Sequence, residues 1–444
     1  MKRGEARLFT LDMDEVDFEF SSAPYPSTSE LLTKLRKNPT RYLQRAFNFT
    51  SDHLYDHNVG TEALPTTKEE KNLFVTEHIL ELQTVQNFIN FATTGKVADK
   101  DLTITSTQTL IPKKYFVDNW TKSVLPPDLS VAKRLRKGRL YSAIPNQRVF
   151  EVFGSNPNIG HFVLCGSQLN GAKAKMWDLI QPVAMGSYLD EVKDSANPKK
   201  YVEGDRTKAD PESRLHLSKW MSQLRLITGV SAYMNHVEVK KRLWLTINDV
   251  RAQMKYIDEK GPSKTGSLLS LWDEYIEKFF DRIDEHMKIV MSTRLVHART
   301  VFEAAQRNFE DDRKKKTTVC NTGQKRPIDN AHNDLPQYIA FGLEGIKRYE
   351  AAALKMKMPR EKDLSLDTSV AIDLAAAIKA IDLVGSTPAP EIKFDGLGRA
   401  PNVGDFVAAP MGLKTGADVA GNAGGNIAGL AAALAKGGAL AAPA

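Results

Sequence analysis

The sequence predicts a mainly α, helix-rich fold with a long αα-hairpin, a minor β element and extended arms at both termini. Three observations support this prediction. Apolar residues recur at steps of three and four through most of the chain after residue 210. Short β-rich runs separated by prolines are confined to about residues 101–165. Neither terminus shows a helical period, and the last sixty residues are rich in glycine and alanine.

Composition limits the class of protein. The chain has 444 residues, 42% of them hydrophobic, and its 19 Phe, 12 Tyr and 5 Trp exclude disorder throughout. At about 100–200 residues per domain, two or three structural units are expected. Its two cysteines, Cys165 and Cys320, exclude a disulfide scaffold and any zinc site built from cysteines. We expect both thiols to be reduced, in a cytosolic or nuclear setting.

The N-terminal unit, residues 1–60, is predicted to be an arm followed by short helices. Residues 1–30 mix apolar and acidic side chains without a helical period, so they are extended, and they either pack on a neighbouring subunit or fray. The basic start has no apolar region after it, so no signal peptide is predicted. No run of about 18 uncharged apolar residues precedes residue 420, so no stable membrane span is predicted.

The second unit, residues 61–210, is predicted to be a mixed core of helix and short strands that contains a basic segment. A helix is expected from Thr67 to Thr93, ended by Gly95. Strands are expected near residues 102–105, 149–153 and 161–164, because these runs are rich in β-branched and aromatic residues. Residues 186–211 are polar and predict a linker or an exposed loop.

The third unit, residues 211–316, is predicted to be the long αα-hairpin. A helix starts at Asp210-Pro211, with Gly229 as a candidate bend or break. Two further helical runs flank a turn at residues 261–266, and the second continues to about Phe309. Some 40 helical residues would reach about 60 Å. Such a hairpin either leaves one stripe of side chains exposed for a partner, or it lies within one large helical core.

The C-terminal part divides into helices over 330–385 and a Gly/Ala-rich tail over 386–444. Periodicity predicts helices from Pro336 to Met358 and from Thr368 to Val384. Residues 401–444 contain 14 Ala and 9 Gly. Three interpretations of this tail stay open: a disordered tail, a segment packed between subunits, or a membrane-active peptide.

Positive charge is concentrated in one segment. Between Lys113 and Arg139 there are eight basic and two acidic residues, an excess of six out of a net charge of +7. Such side chains neutralise phosphates, and the interleaved aromatic residues Tyr115, Phe116, Trp120 and Tyr141 would stack on exposed bases. The alternative is a solvated basic loop, or a patch that meets an acidic surface of another subunit. The predicted nucleic-acid-binding residues are Lys113, Lys114, Lys133, Arg134, Arg136, Lys137 and Arg139.

No catalytic residue, metal ligand or cofactor is predicted, so the chain is not expected to be an enzyme. His53 and His57 are spaced as a helical metal pair, but their segment lacks a helical pattern and a third ligand. Cys165 and His161 could suggest a thiol nucleophile, but their apolar, β-rich surroundings favour a buried cysteine. Residues 261–265 lack the glycine spacing of a phosphate-binding loop.

In size and layout the whole chain resembles the helix-rich coat proteins of small double-stranded RNA viruses such as partitiviruses. The resemblance implies a helix-rich, shell-type domain, and a subunit whose dimers close into an icosahedral shell around a genome segment. Its partners would be copies of itself and nucleic acid, most readily RNA, held through backbone contacts. Its locations would be the virion and the host cytoplasm. Residues 211–316 would supply a protruding or dimerising hairpin.

Two alternatives stay open. The first is a nucleocapsid protein that coats single-stranded RNA as a filament, with residues 113–141 lining the RNA groove. The second is a non-viral helical adaptor, or an enzyme with a cryptic site, for which His53 and His57 would be the nearest candidates.

Overall fold

The computed structural model describes residues 5–14, 16–39, 43–126, 142–180, 211–319 and 335–364. The helices in these ranges are α1 (Thr28–Lys37), α2 (Lys68–Asn72), α3 (Gln83–Thr94), α4 (Lys113–Asn119), α5 (Pro145–Phe153), α6 (Ser167–Trp177), α7 (Pro211–Asn235), α8 (Val237–Lys260), α9 (Leu268–Val319) and α10 (Leu335–Ala353). The strands are β1 (Leu8–Met13), β2 (Val16–Ser21), β3 (Arg45–Phe49), β4 (Val59–Ala63), β5 (Phe74–His78), β6 (Lys96–Val97), β7 (Leu102–Thr103) and β8 (Phe162–Gly166). The predicted helix at 368–384 and the Gly/Ala-rich tail lie outside these ranges.

The long αα-hairpin is confirmed. It consists of α8 and the 52-residue α9, which at 1.5 Å per residue is about 78 Å long. Helices α7 and α10 also pack on α9, so the hairpin lies within a larger helical core. The inward stripe of α9 follows the predicted three-four spacing, with Trp272, Phe279 and Phe302 fully buried.

The turn of this hairpin is held by one carboxylate. Asp258, near the end of α8, accepts the backbone N–H groups of Leu268 and Leu269 at 3.0 Å each. These are among the donors that the first turn of α9 cannot satisfy internally. Lys264 lies 2.8 Å from the same carboxylate. The last turn of α8 therefore caps the start of α9, and the predicted turn at 261–266 connects the two helices.

The minor β element is a four-stranded sheet in the order β4-β3-β8-β5. Strand β8 pairs in parallel with β3 and antiparallel with β5, and all five of its residues are buried. Alternate side chains of β3 and β8 pack into two different hydrophobic cores. Phe47 and Cys165 face the large helical core, whereas Ala46 and Leu164 face α1. The sheet thus lies between α1 and the helical core.

The N-terminal segment is extended, as predicted, and β1 and β2 pair as an antiparallel hairpin. Its inward residues are buried; Phe9, for example, stacks on Phe20 and on Phe150 of α5. The hairpin therefore packs on the core of its own chain, which explains the alternation of apolar and polar residues that lacked a helical period.

The predicted helix from Thr67 to Thr93 is wrong in its first half. Residues Phe74–His78 form β5, between the short α2 and the helix α3. Val75 pairs with Cys165 in the register of the sheet, and this long-range pairing overrides the local helical spacing. The predicted stop at Gly95 is correct: it caps α3 in the left-handed conformation, with φ 73°.

The predicted strand at 149–153 is also wrong, because these residues belong to α5. Eight of the nine residues of α5 are buried, including the polar Asn146, Arg148 and Glu151, so its polar residues do not mark a solvent-exposed face. Pro145 is one of the prolines expected to separate the β-rich runs, but it starts the helix at its first position. Gly229 does not interrupt α7; a Cβ there would collide with the ring of Phe49, so glycine lets β3 approach the helix. The break comes instead at His236, between α7 and α8.

Candidate nucleic-acid interface

Two of the predicted binding residues, Lys113 and Lys114, start α4. The Lys113 ammonium lies 2.6 Å from the carboxylate of Asp14 at the tip of the N-terminal hairpin. Lys114 is 82% exposed and lies 2.7 Å from Asp118, one turn further along the helix. Lys114 also lowers the pKa of Asp118, chiefly by hydrogen bonding to its carboxylate. Lys113 therefore ties α4 to the hairpin, and Lys114 remains accessible at the surface.

The aromatic residues of the same segment point inward. Phe116 and Trp120 are fully buried and Tyr115 is 6% exposed. Burial raises the pKa of Tyr115 to about 12. The interpretation that these three rings stack on exposed bases is therefore wrong, since they pack in the protein core. Tyr141 lies outside the described residues.

The chain on either side of residues 127–141 is held together by hydrogen bonds, which we call the clamp. The backbone N–H groups of Val124 and Leu125 both donate to the carbonyl oxygen of Ala143, each over 2.9 Å. Residues 127–141 therefore leave and rejoin the described fold at one point. This span contains the other five predicted binding residues, which lie outside the described residues: Lys133, Arg134, Arg136, Lys137 and Arg139.

A buried arginine packs against residues of α8, one of which contacts the chain next to the clamp. Arg148 is fully buried, and its guanidinium lies 4.1 Å from the centre of the Tyr256 ring. Its Nε donates to Gln253 over 3.0 Å. The hydroxyl of Tyr256 in turn donates to the carbonyl of Pro126 over 2.7 Å. Through Tyr256, helix α8 thus holds Pro126, the last residue before residues 127–141.

A cavity of about 360 Å³ lies between the N-terminal hairpin and the start of α5. Its walls include Ser21, Thr121, Asn146 and Gln147, together with the carboxylate of Glu19. None of the residues that line it is a cation. The cavity is therefore a poor site for a phosphate.

A second cluster of charges lies away from the clamp, between β5 and α6. Lys173 is 1% exposed and donates to Glu77, to Glu81 over 3.0 Å and to the carbonyl of His78 over 2.7 Å. Burial raises the pKa of Glu77 to about 8. Burial opposes the charge of Lys173, but the two carboxylates raise its pKa nonetheless. All three ammonium donors are satisfied, so the cluster joins β5 to α6 as a structural element.

The other residues considered for chemistry do not form a centre. Cys165 is fully buried in β8, and burial raises its pKa well above the usual range, so the thiol is not an activated nucleophile. His161 contacts Thr246 at 3.0 Å. His53 and His57 lie in the connection between β3 and β4, not on a helix. Within the described ranges, no group of three or more potential ligands is placed to hold a metal ion.

No family model, no curated protein and no solved structure matches this chain. Among the helices of the described ranges, none combines the length and the apolar character needed to cross a membrane. The charge pattern of the sequence identifies a cluster of basic residues, and their binding role stays a prediction. The clamp could not be predicted from the sequence. The clamp consists of backbone hydrogen bonds between positions almost 20 residues apart, for which a sequence carries no residue-specific signal.

Proposed function

We propose that the chain is a self-assembling coat subunit that encloses an RNA genome, like the coat proteins of small double-stranded RNA viruses that it resembles in size and layout. The observation that carries the proposal is the clamp between Val124, Leu125 and Ala143. It brings together the chain on either side of residues 127–141, which include five basic residues and one acidic residue.

Such a segment suits a polyanion of any sequence. A net charge of +4 over these 15 residues favours phosphate contacts, which position a nucleic acid without reading its bases. A coat protein must hold its whole genome segment, so contacts that are independent of sequence are what its interior needs. Repetition of the site over many subunits would multiply a modest affinity.

The burial of the aromatic residues favours a shell over a filament on single-stranded RNA. Proteins that coat single strands usually stack bases on accessible rings. Here Tyr115, Phe116 and Trp120 belong to the core. Without base stacking, the contacts left to the basic segment are those of lysine and arginine with phosphates. A packaged RNA duplex presents phosphates as well as a single strand does.

Exposed apolar side chains on the helices support self-assembly. Ile289 and Val296 of α9 are 48% and 51% exposed, and Leu245 of α8 is 54% exposed. Single exposed apolar residues are common, but a pair of them two turns apart on one helix forms a stripe that a partner can cover.

Negative-stain electron microscopy of the purified full-length chain tests the proposal. We expect closed particles that protect RNA from nuclease. Filaments along RNA would instead support the nucleocapsid alternative. A monomer free of nucleic acid at high concentration would overturn both.

Charge removal tests the basic segment. The quadruple variant K133A/R134A/R136A/K137A should lose most of the nucleic acid that copurifies, measured as the ratio of absorbance at the nucleic-acid and protein maxima. The control K37A/K68A/K255A/K347A removes the same four charges from exposed positions elsewhere. Equal losses in both variants would show that net charge matters and the segment does not.

A further inference from the structure

The outer face of α9 carries a symmetric pattern of side chains. Ile289 and Val296 are half-exposed, with exposed Ser292 between them. Seven residues before Ser292 stands Glu285, 59% exposed, and seven residues after it stands Arg299, 46% exposed. Because seven residues are nearly two helical turns, these five side chains lie along one line. We call them the outer stripe of α9.

Between Ile289 and Ala298 no charged side chain is exposed. Arg294 is the one lysine, arginine or acidic residue between Lys288 and Arg299, and its side chain is 1% exposed. Burial lowers the pKa of His297, which favours its neutral form. The middle of the stripe, residues 289–298, is therefore an uncharged surface about 14 Å long. Exposed Lys288 lies beside it, with Glu285 beyond at that end and Arg299 at the other end.

This pattern is complementary to itself when reversed. If a second copy of α9 lies antiparallel across the stripe, with a two-fold axis beside Ser292, Glu285 faces Arg299 of the second copy. Ile289 then faces Val296 of the second copy. In a parallel arrangement the like charges would face each other instead, at a cost.

The helical turns of α9 beyond Glu285 and Arg299 carry charges that are complementary in the same antiparallel arrangement. Arg282 lies three residues before Glu285, and Glu303 lies four residues after Arg299. In the antiparallel arrangement Arg282 faces Glu303 of the second copy. Opposite charges thus alternate outward from the apolar centre on both sides, over about 32 Å of helix. A two-fold interface of this kind uses the same patch on both subunits.

We propose that two copies of this chain pair antiparallel through the outer stripe of α9, about a two-fold axis beside Ser292. This inference deepens the proposed function, on which it rests for the need to self-assemble. The charged ends already have partners within the chain, since Arg282 contacts Glu285 at 2.5 Å and Arg299 contacts Glu350. The charges therefore select the antiparallel direction, and burial of Ile289 and Val296 supplies affinity.

A matched pair of valine variants tests the surface. Val296→Asp places a charge at the apolar centre and should weaken dimerisation at least tenfold in sedimentation equilibrium. Val16→Asp is the control, because Val16 is 49% exposed and lies on β2, away from the stripe. Circular dichroism should show the same unfolding midpoint for both variants. Equal dimerisation constants for the two would overturn the proposal.

A cysteine at the two-fold axis tests the register. Ser292→Cys, in a Cys320→Ser background, should form an interchain disulfide with oxidised glutathione as the oxidant, each bond releasing two equivalents of reduced glutathione. Ser270→Cys, exposed on the same helix but outside the stripe, should not. Native Cys165 is buried and does not interfere. Equal crosslinking of the two would overturn the register.

The remaining outcomes separate this inference from the proposed function. Shells that contain RNA but are built from Val296→Asp protein would overturn the interface alone. A wild-type chain that stays monomeric and free of RNA would overturn both. A monomeric Ser292→Cys variant whose introduced thiol resists thiol reagents would show that a segment of the same chain covers the stripe, which also overturns the interface.

Discussion

Trp120 and Asn146 hydrogen-bond to each other in both directions. The indole N–H of Trp120 donates to Oδ1 of Asn146 over 3.0 Å, and the backbone N–H of Asn146 donates to the carbonyl of Trp120 over 2.9 Å. Trp120 is fully buried and Asn146 is 6% exposed, so water does not compete for these bonds. The two residues stand on opposite sides of residues 127–141 and hold the ends of that segment together.

Replacing Asn146 with alanine should destabilise the fold. The change leaves the buried indole N–H of Trp120 without its acceptor and removes the bond to the carbonyl of Ser21. We expect a loss of about 1–3 kcal/mol in the free energy of unfolding, measured with urea. Asn248→Ala is the control, since Asn248 donates to Glu361 at the surface, and should change stability by about 0.5 kcal/mol or less. Equal effects of the two would contradict the role given to Asn146.

Binding of RNA should depend on salt through the basic segment. The logarithm of the binding constant falls with the logarithm of salt concentration by about 0.7 per phosphate contact on a single strand. Removing Lys133, Arg134, Arg136 and Lys137 should lower that slope by about 3, by fluorescence anisotropy with a labelled RNA. RNAs of unrelated sequence should give the same change. An unchanged slope would mean that these side chains do not meet phosphates.

Replacing Lys173 with methionine should be strongly destabilising. Glu81 would then lose the cation that balances its charge, and Glu77 would lose the donor that contacts it. Breaking a buried pair by removing one partner costs about 3–5 kcal/mol. Lys114→Met removes an exposed pair with Asp118 and should cost about 0.5 kcal/mol or less. Urea unfolding of both variants checks the difference. If Lys173→Met lowers the free energy of unfolding only slightly, other groups must stabilise Glu77 and Glu81 in the folded chain.

The protonation of Glu77 should make stability fall as pH rises. Burial raises the pKa of Glu77 from its ordinary value of 4.5 to about 8, so between these values the folded chain holds a proton that the unfolded chain has released. The stabilisation is complete below about pH 4.5 and is lost as the pH rises towards 8. Glu77→Gln has no carboxyl group at this position to titrate, so its stability should fall less than that of the wild type over this range. Parallel stability curves from pH 5 to 8 would contradict the assignment.

Two glycines should respond to alanine with opposite signs. Gly95 ends α3 at φ 73°, and a Cβ there would lie 3.0 Å from the Ile104 side chain, so Gly95→Ala should cost about 1–2 kcal/mol. Gly171 lies inside α6 with nothing within 4 Å of its would-be Cβ, so Gly171→Ala should stabilise by about 0.5–1 kcal/mol. Thermal unfolding of the two variants measures both changes. A gain at Gly95 would refute the left-handed cap.

Much of the helical core could be predicted from the sequence because its signals are local. In α8 and α9, apolar residues repeat every three or four positions opposite a polar face, and Gly95 ends α3 through its own backbone freedom. Helix α5 could not be recognised, because it is only nine residues long and its polar residues Arg148 and Glu151 are buried in the interior with its apolar ones. Strand β5 could not be predicted because the extended conformation at Val75 depends on pairing with Cys165, which lies ninety residues away.

By itself, the sequence determined where positive charge concentrates and which helices are long and amphipathic. Only the tertiary structure decided that Tyr115, Phe116 and Trp120 are core residues, and that the chain closes on itself at Val124 and Ala143. The physical reason is that charge and helical period depend on residues a few positions apart. Burial and backbone pairing depend on which distant segments meet, and an aromatic ring suits a protein core as well as a stack of bases.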